Sequence, residues 1–113
     1  MVEIRLEDVS PSATILHLKG YLDRPLGDLL KNRVQELVQG GKKELVISFA
    51  DVEMINSLGM SGLIESFDIA DEAQAEIWFV EINNTLTLIL EAAGVLNLVI
   101  EQTSLTEARD RLK

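Results

Sequence analysis

The chain has 113 residues, 47% of them hydrophobic, and its composition does not change along its length, so it reads as one domain (1–113) around one core. It holds no cysteine and a single histidine, which excludes disulfides, thiolate metal sites and cysteine nucleophiles and leaves no imidazole pair for metal or acid–base work. A formal net charge of −9 disfavours direct binding of nucleic acid or of anionic membranes, and suits a basic protein partner or plain solubility.

Met1–Leu6 alternates, with Val2, Ile4 and Leu6 on one side and Glu3 and Arg5 on the other, the pattern of a half-buried strand. Ser10-Pro11-Ser12 is a turn cluster, and Ala13–Lys19 is a second strand expected to pair with the first as a hairpin. Gly20-Tyr21-Leu22-Asp23 reads as a loop. Asp23 is then placed to cap a helix with Pro25 in its first turn, and Leu26, Leu29, Leu30, Val34, Leu37 and Val38 recur at helical spacing until Gly40-Gly41.

Glu44–Phe49 is short and apolar, as expected of a central strand covered on both faces. A second amphipathic helix is expected from near Gly59, with Met60, Leu63, Ile64, Phe67 and Ala70 on its apolar side. Ile77–Val80 is a further buried strand. Thr85–Ala93 carries Leu86, Ile89, Leu90 and Ala93 on one helical face, with Gly94 as its stop. Val99-Ile100 is a candidate edge strand, and Ser104-Leu105-Thr106-Glu107 is a capping box opening a last helix through Leu112.

The order β-β-α-β-α-β-α-β-α predicts an α/β fold: a mixed, mostly parallel sheet of about five strands with an N-terminal β-hairpin, right-handed crossovers and four helices. Apolar runs fall far short of the roughly 20 residues that span a bilayer, and the N-terminus lacks a secretory pattern, so a cytoplasmic location is expected. Asn83-Asn84-Thr85 matches a glycosylation sequon, which in that setting is chance.

The junction Asn56-Ser57-Leu58-Gly59 places a hydroxyl residue where a buried strand hands over to a helix. The first backbone N–H groups of a helix lack intrahelical partners and the macrodipole adds partial positive charge, so a phosphate is electrostatically favoured there. Either Asn56 or Ser57 can equally serve as a plain cap, and capping is compatible with phosphorylation.

The pattern resembles the STAS domain (sulfate transporter and anti-sigma factor antagonist) in its free-standing bacterial form. The family's central signature runs roughly apolar-Asp-apolar-Ser-Gly-Val-x-Phe-Ile-Asp-Ser-Ser-Gly-Leu-Gly, and Ile47 to Ser61 fits it without a gap. Gly20-Tyr21-Leu22-Asp23 is similar to the family's Gly-x-Leu-Asp, and Glu91-Ala92-Ala93-Gly94-Val95 to its Glu-Leu-Thr-Gly-Leu; the likeness extends from about Val2 to Leu112. The resemblance implies an anti-sigma factor antagonist whose phosphoacceptor is Ser57. It implies as partners an anti-sigma factor that is also a serine kinase, and a PP2C-type phosphatase. Three positions depart from the pattern: Asn56 stands for the usual Asp, Leu58 for a second hydroxyl, and Ser48 for the strand's Asp. The competing readings are an unphosphorylated STAS scaffold in a signalling or lipid/anion transport assembly, and a small nucleotide-binding protein or enzyme using Asp23 and Ser57.

Expected partner-binding residues are Asp23, Asn56, Ser57, Leu58 and Met60. Asp23 is first a helix cap and Met60 divides evenly between core and surface; Ile55 belongs to the core. His17 is expected to point outward or into a polar edge, and Trp78 to lie in or beside the core. Asp68, Asp71, Glu72 and Glu76 lack the oxygen spacing of a calcium loop and read as a solvated face. No catalytic set, cofactor motif or metal site is discernible, so neither cofactor nor metal is expected, and the chain is read as a substrate of phosphorylation, a monomer or weak dimer.

Overall fold

Ten elements succeed one another in the computed structural model, which describes residues 2–113. They are β1 (Arg5–Asp8), β2 (Ala13–Leu22), α1 (Arg24–Gln39), β3 (Glu44–Ile55), α2 (Ser57–Glu72), β4 (Glu76–Val80), α3 (Asn84–Ala92), a 3₁₀ turn (Val95–Asn97), β5 (Glu101–Thr103) and α4 (Leu105–Leu112). The sheet runs β1-β2-β3-β4-β5. β1 and β2 form the expected antiparallel hairpin, and every other pairing is parallel.

The two faces of the sheet are covered unequally. On one, Leu45, Ile47, Phe49 and Phe79 pack with Leu30 and Val34 of α1, Leu63 and Phe67 of α2, and Leu86 and Leu90 of α3. Phe49 and Phe79 meet edge to face at 4.8 Å. On the other face Ile15, Val46, Trp78 and Val80 meet α4, through Ala108, Leu105 and Leu112, and Val9 of the β1–β2 turn. Arg111 of α4 lays its guanidinium over the Trp78 ring at 4.7 Å. Leu45, Val46 and Ile47 are all fully buried, which is why this part of β3 reads as a continuous apolar run.

Four boundaries differ from the sequence reading, each for a physical reason. β1 starts later than expected: Val2 and Leu6 are each 42% exposed, and the inward member is Glu7, held by polar partners. β2 continues through Gly20-Tyr21-Leu22, and β3 runs on from Phe49 to Ile55, with register shifts at His17/Lys19 and Gly20/Tyr21. Each shift inserts an extra residue on β3, and such bulges erase the two-residue alternation by which a strand is recognised. Beyond Ser48, β3 has no partner in β4 and pairs with β2 alone. Finally, the last strand is Glu101–Thr103 rather than Val99-Ile100: a short polar edge strand needs backbone pairing only, and it takes that from Trp78, Phe79 and Val80.

Candidate functional site

β2 and β3 end side by side, at Leu22 and Ile55, and each turns directly into a helix. Asp23 caps α1, its carboxylate accepting the Leu26 N–H at 3.2 Å. Asn56 caps α2, its side-chain oxygen accepting the Gly59 N–H at 2.9 Å. The helix therefore begins at Ser57, two residues earlier than the apolar spacing suggests, and the cap is Asn56. Ser57 is exposed at the first helical position and takes no part in the cap. A residue there is free to carry a group without undoing the helix start.

The two helix starts are locked together by backbone. The Asn56 N–H donates to the Leu22 carbonyl at 3.1 Å. A Cβ on Gly59 would lie 1.9 Å from that same carbonyl oxygen, and one on Gly62 would lie 2.5 Å from the carbonyl oxygen of Gly27 in α1. Only a hydrogen fits at either place. This close approach brings Asp23 and Asn56, 33 positions apart in the chain, to one edge of the molecule, the carboxyl edge of the parallel strands.

An apolar groove of about 420 Å³ opens next to Ser57, between α2 and α3. Met60 and Ile64 form its α2 wall, and Ile89, Ala92 and Ala93 its α3 wall. Met60 is 9% exposed and contributes mostly a floor, whereas Leu58, 53% exposed, stands on the outer side of the first turn. Cross-strand neighbours Tyr21 and Met54 add exposed apolar surface at the strand ends. Of the expected residues, Asn56, Ser57 and Met60 share the groove; Asp23 lies instead beside a shallow depression with Tyr21 and Lys19, and Leu58 is not part of the groove. The α3 wall has no local signal in the sequence, because it is tertiary packing that sets α3 against α2. Tyr21 was hidden by the reading of its segment as a loop.

The remaining candidates fall elsewhere. Ser48 is buried, its hydroxyl accepting the Ala50 N–H at 3.4 Å, so it supports the backbone where β4 ends and does not reach the groove. The His17 Nε2 lies 2.8 Å from Glu7, and the Arg109 guanidinium donates to both Glu7 carboxylate oxygens at 2.8 and 2.9 Å. The Arg109 hydrogen bond holds the Glu7 carboxyl at about 2, well below the usual carboxylate range; partial burial opposes it and His17 adds to it. This network ties β1, β2 and α4 together on the sheet's other face. Among the described residues no group of three His, Cys, Asp or Glu side chains could hold a metal ion, and no helix is long and apolar enough to cross a membrane.

The sequence matches the model of the STAS domain over residues 6–109. Solved structures share the fold across nearly the whole chain. SpoIIAA of Bacillus in its phosphorylated form, described as a cell fate determinant, is 16% identical with a TM-score of 0.77, over 98% of this chain and 100% of that one. An anti-sigma factor antagonist from Mycobacterium paratuberculosis is 16% identical with a TM-score of 0.79, over 99% and 94%. An anti-sigma-factor antagonist (STAS) domain protein from Planctomyces limnophilus is 14% identical with a TM-score of 0.75, over 94% of each. No curated protein matches the chain. At these identities the likeness is one of fold.

Proposed function

The chain belongs to the STAS domain family, and from that premise we propose that it is an anti-sigma factor antagonist in a partner-switching circuit. In this reading an anti-sigma factor kinase docks on the α2 edge, and phosphorylation of Ser57 ends the docking. The observation that carries it is the Ser57 side chain, exposed at the start of a 16-residue helix and bordering an apolar groove.

The chemistry falls to the partners. The Ser57 Oγ takes the γ-phosphoryl group of ATP, forming the new O–P bond as the bond to the bridging oxygen breaks. ADP leaves, and the hydroxyl proton passes to a base of the kinase. A PP2C-type phosphatase reverses the state by hydrolysis, releasing inorganic phosphate and restoring the hydroxyl.

What this chain contributes is placement. The helix start tolerates the added −1.5 to −2 charge, because free N–H groups and the macrodipole face it. The groove does not. A partner seated on Met60, Ile64 and Ile89 would have to strip water from a dianion at the rim, and the groove's lining holds no cation to compensate. The switch therefore acts on docking and leaves the fold intact.

Incubation with the cognate anti-sigma factor kinase and ATP should add one phosphate, located on Ser57 by intact-mass and fragment analysis and lost in Ser57→Ala. Ser57→Asp should weaken binding of that kinase while changing stability by less than about 1 kcal/mol, as for a surface substitution. A phosphate on another residue, no phosphate with a kinase that binds, or wild-type affinity in Ser57→Asp would each overturn the proposal.

A further inference from the structure

Asp68 and Asp71 border a second cavity, at the far end of α2 from Ser57; Glu76 also lines it, but its carboxylate turns to the other face of the sheet and accepts the Trp78 indole N–H at 3.4 Å. Asp71 lies fourteen positions along that helix, about 20 Å from the phosphoacceptor. The cavity, about 250 Å³, has Phe67 and Ile77 at its base, and Leu98 and Ile100 on its open side. Leu98 is 50% and Ile100 58% exposed. Ile100 is fixed beside the start of β4 by its N–H donating to the Ile77 carbonyl at 2.9 Å. A single exposed leucine needs no explanation, but two large aliphatic side chains bordering one concave site form a patch.

The rim makes the patch selective. Neither Asp68 nor Asp71 forms an ion pair among the described residues, although the chain pairs Glu65 with Lys31 and Glu101 with Arg111. Lys43, nearby, donates instead to the Ala73 carbonyl at 2.8 Å, capping the end of α2. The three carboxylates do not converge on a point where a metal ion could sit. Those of Asp68 and Asp71 border an apolar base, an arrangement matched by a larger cation on an apolar body.

From this charge complementarity we infer that the α2–β4–β5 end of the molecule is a second docking surface, whose occupant is an amphipathic segment of a protein partner with aliphatic residues interleaved with lysine or arginine. The aliphatic side chains cover Leu98 and Ile100, and the cationic heads reach Asp68 and Asp71. Such a partner lies clear of the Ser57 groove and stays bound through a change at that edge.

The probe is a synthetic peptide, Leu-Lys-Lys-Leu repeated three times, titrated into the full chain labelled with nitrogen-15; the control replaces each leucine by serine. The leucine peptide should shift the amides of Asp68, Asp71, Leu98 and Ile100, and bind at least about tenfold more tightly than the control. Asp71→Lys and Ile100→Ser, both at exposed positions, should each weaken it by about tenfold while the remaining spectrum stays native. Equal binding of the serine control, shifts spread over the whole acidic surface, or shifts centred on the Ser57 groove would each overturn the inference. So would self-association of the chain through Leu98 and Ile100 that excludes the peptide, since the occupant would then be a second copy.

Discussion

Gly62→Ala sets two known effects against each other. Alanine in place of glycine inside a helix favours folding by about 1 kcal/mol through backbone entropy. In α2 the new methyl carbon would lie 2.5 Å from the carbonyl oxygen of Gly27 and 2.6 Å from its carbonyl carbon and Cα. These are backbone atoms of a neighbouring helix, so no side chain can swing aside, and α1 and α2 must separate by most of an ångström. Overpacking of that kind costs about 3 kcal/mol, the upper end of its usual range. The net expectation is a loss of about 2 kcal/mol, or about 8 °C in Tm for a chain of this size. Thermal and urea unfolding followed by circular dichroism measure it directly. Gly40→Ala is the control, because its added carbon meets nothing closer than 3.4 Å at an ordinary backbone angle; that variant should stay within about 0.5 kcal/mol of the parent. If Gly62→Ala were as stable as the parent, the helices would not be in backbone contact, and the account of how Asp23 and Asn56 reach one edge would fail.

Removing the α2 cap by Asn56→Ala should cost about 1 kcal/mol in urea unfolding, whereas Asn56→Asp should keep the cap and add a few tenths of a kcal/mol from the helix dipole at low salt. Glu7 makes acid stability testable. Its folded carboxyl titrates near 2 and its ordinary value is 4.5, so its contribution is fully present above about pH 4.5 and is lost as the pH falls toward 2. Glu7→Gln should flatten the stability profile across that window and leave its slope above pH 6 unchanged; a profile unaltered between pH 2 and 4.5 would contradict the Arg109 pairing.

Legibility in the sequence followed local physics. Asp23 and Ser104 were recognisable as helix openings because a short polar side chain meets the third N–H beyond it, and both do so; Asn83, met in the sequence only within a sequon, caps α3 in the same way. Leu45–Ile47 was visible because burial on both faces leaves no choice of residue type. The outer halves of β2 and β3 were not visible. In β3 bulges break the alternation, and charged residues such as Asp51 and Glu53 are tolerated because no further strand covers them; in β2 Gly20, at a positive φ, reads as a turn residue. The place of Ser57 at a helix start was legible from the strand-to-helix junction. The groove beside it was only half legible: Met60 and Ile64 lie on one helix, but their counterparts on α3 come within reach only through the packing of the core.

The lip formed by Ala50–Met54 carries a wider consequence. An open ribbon at the margin of a sheet invites stacking of one molecule onto the next, and polymer growth by that route is a standing hazard for small α/β proteins. Here the ribbon is kinked twice and carries acidic groups, so successive copies cannot zip together in register. Deleting Glu53 removes one of the two kinks and one of the acidic groups, and should raise light scattering from the chain at high concentration relative to the parent.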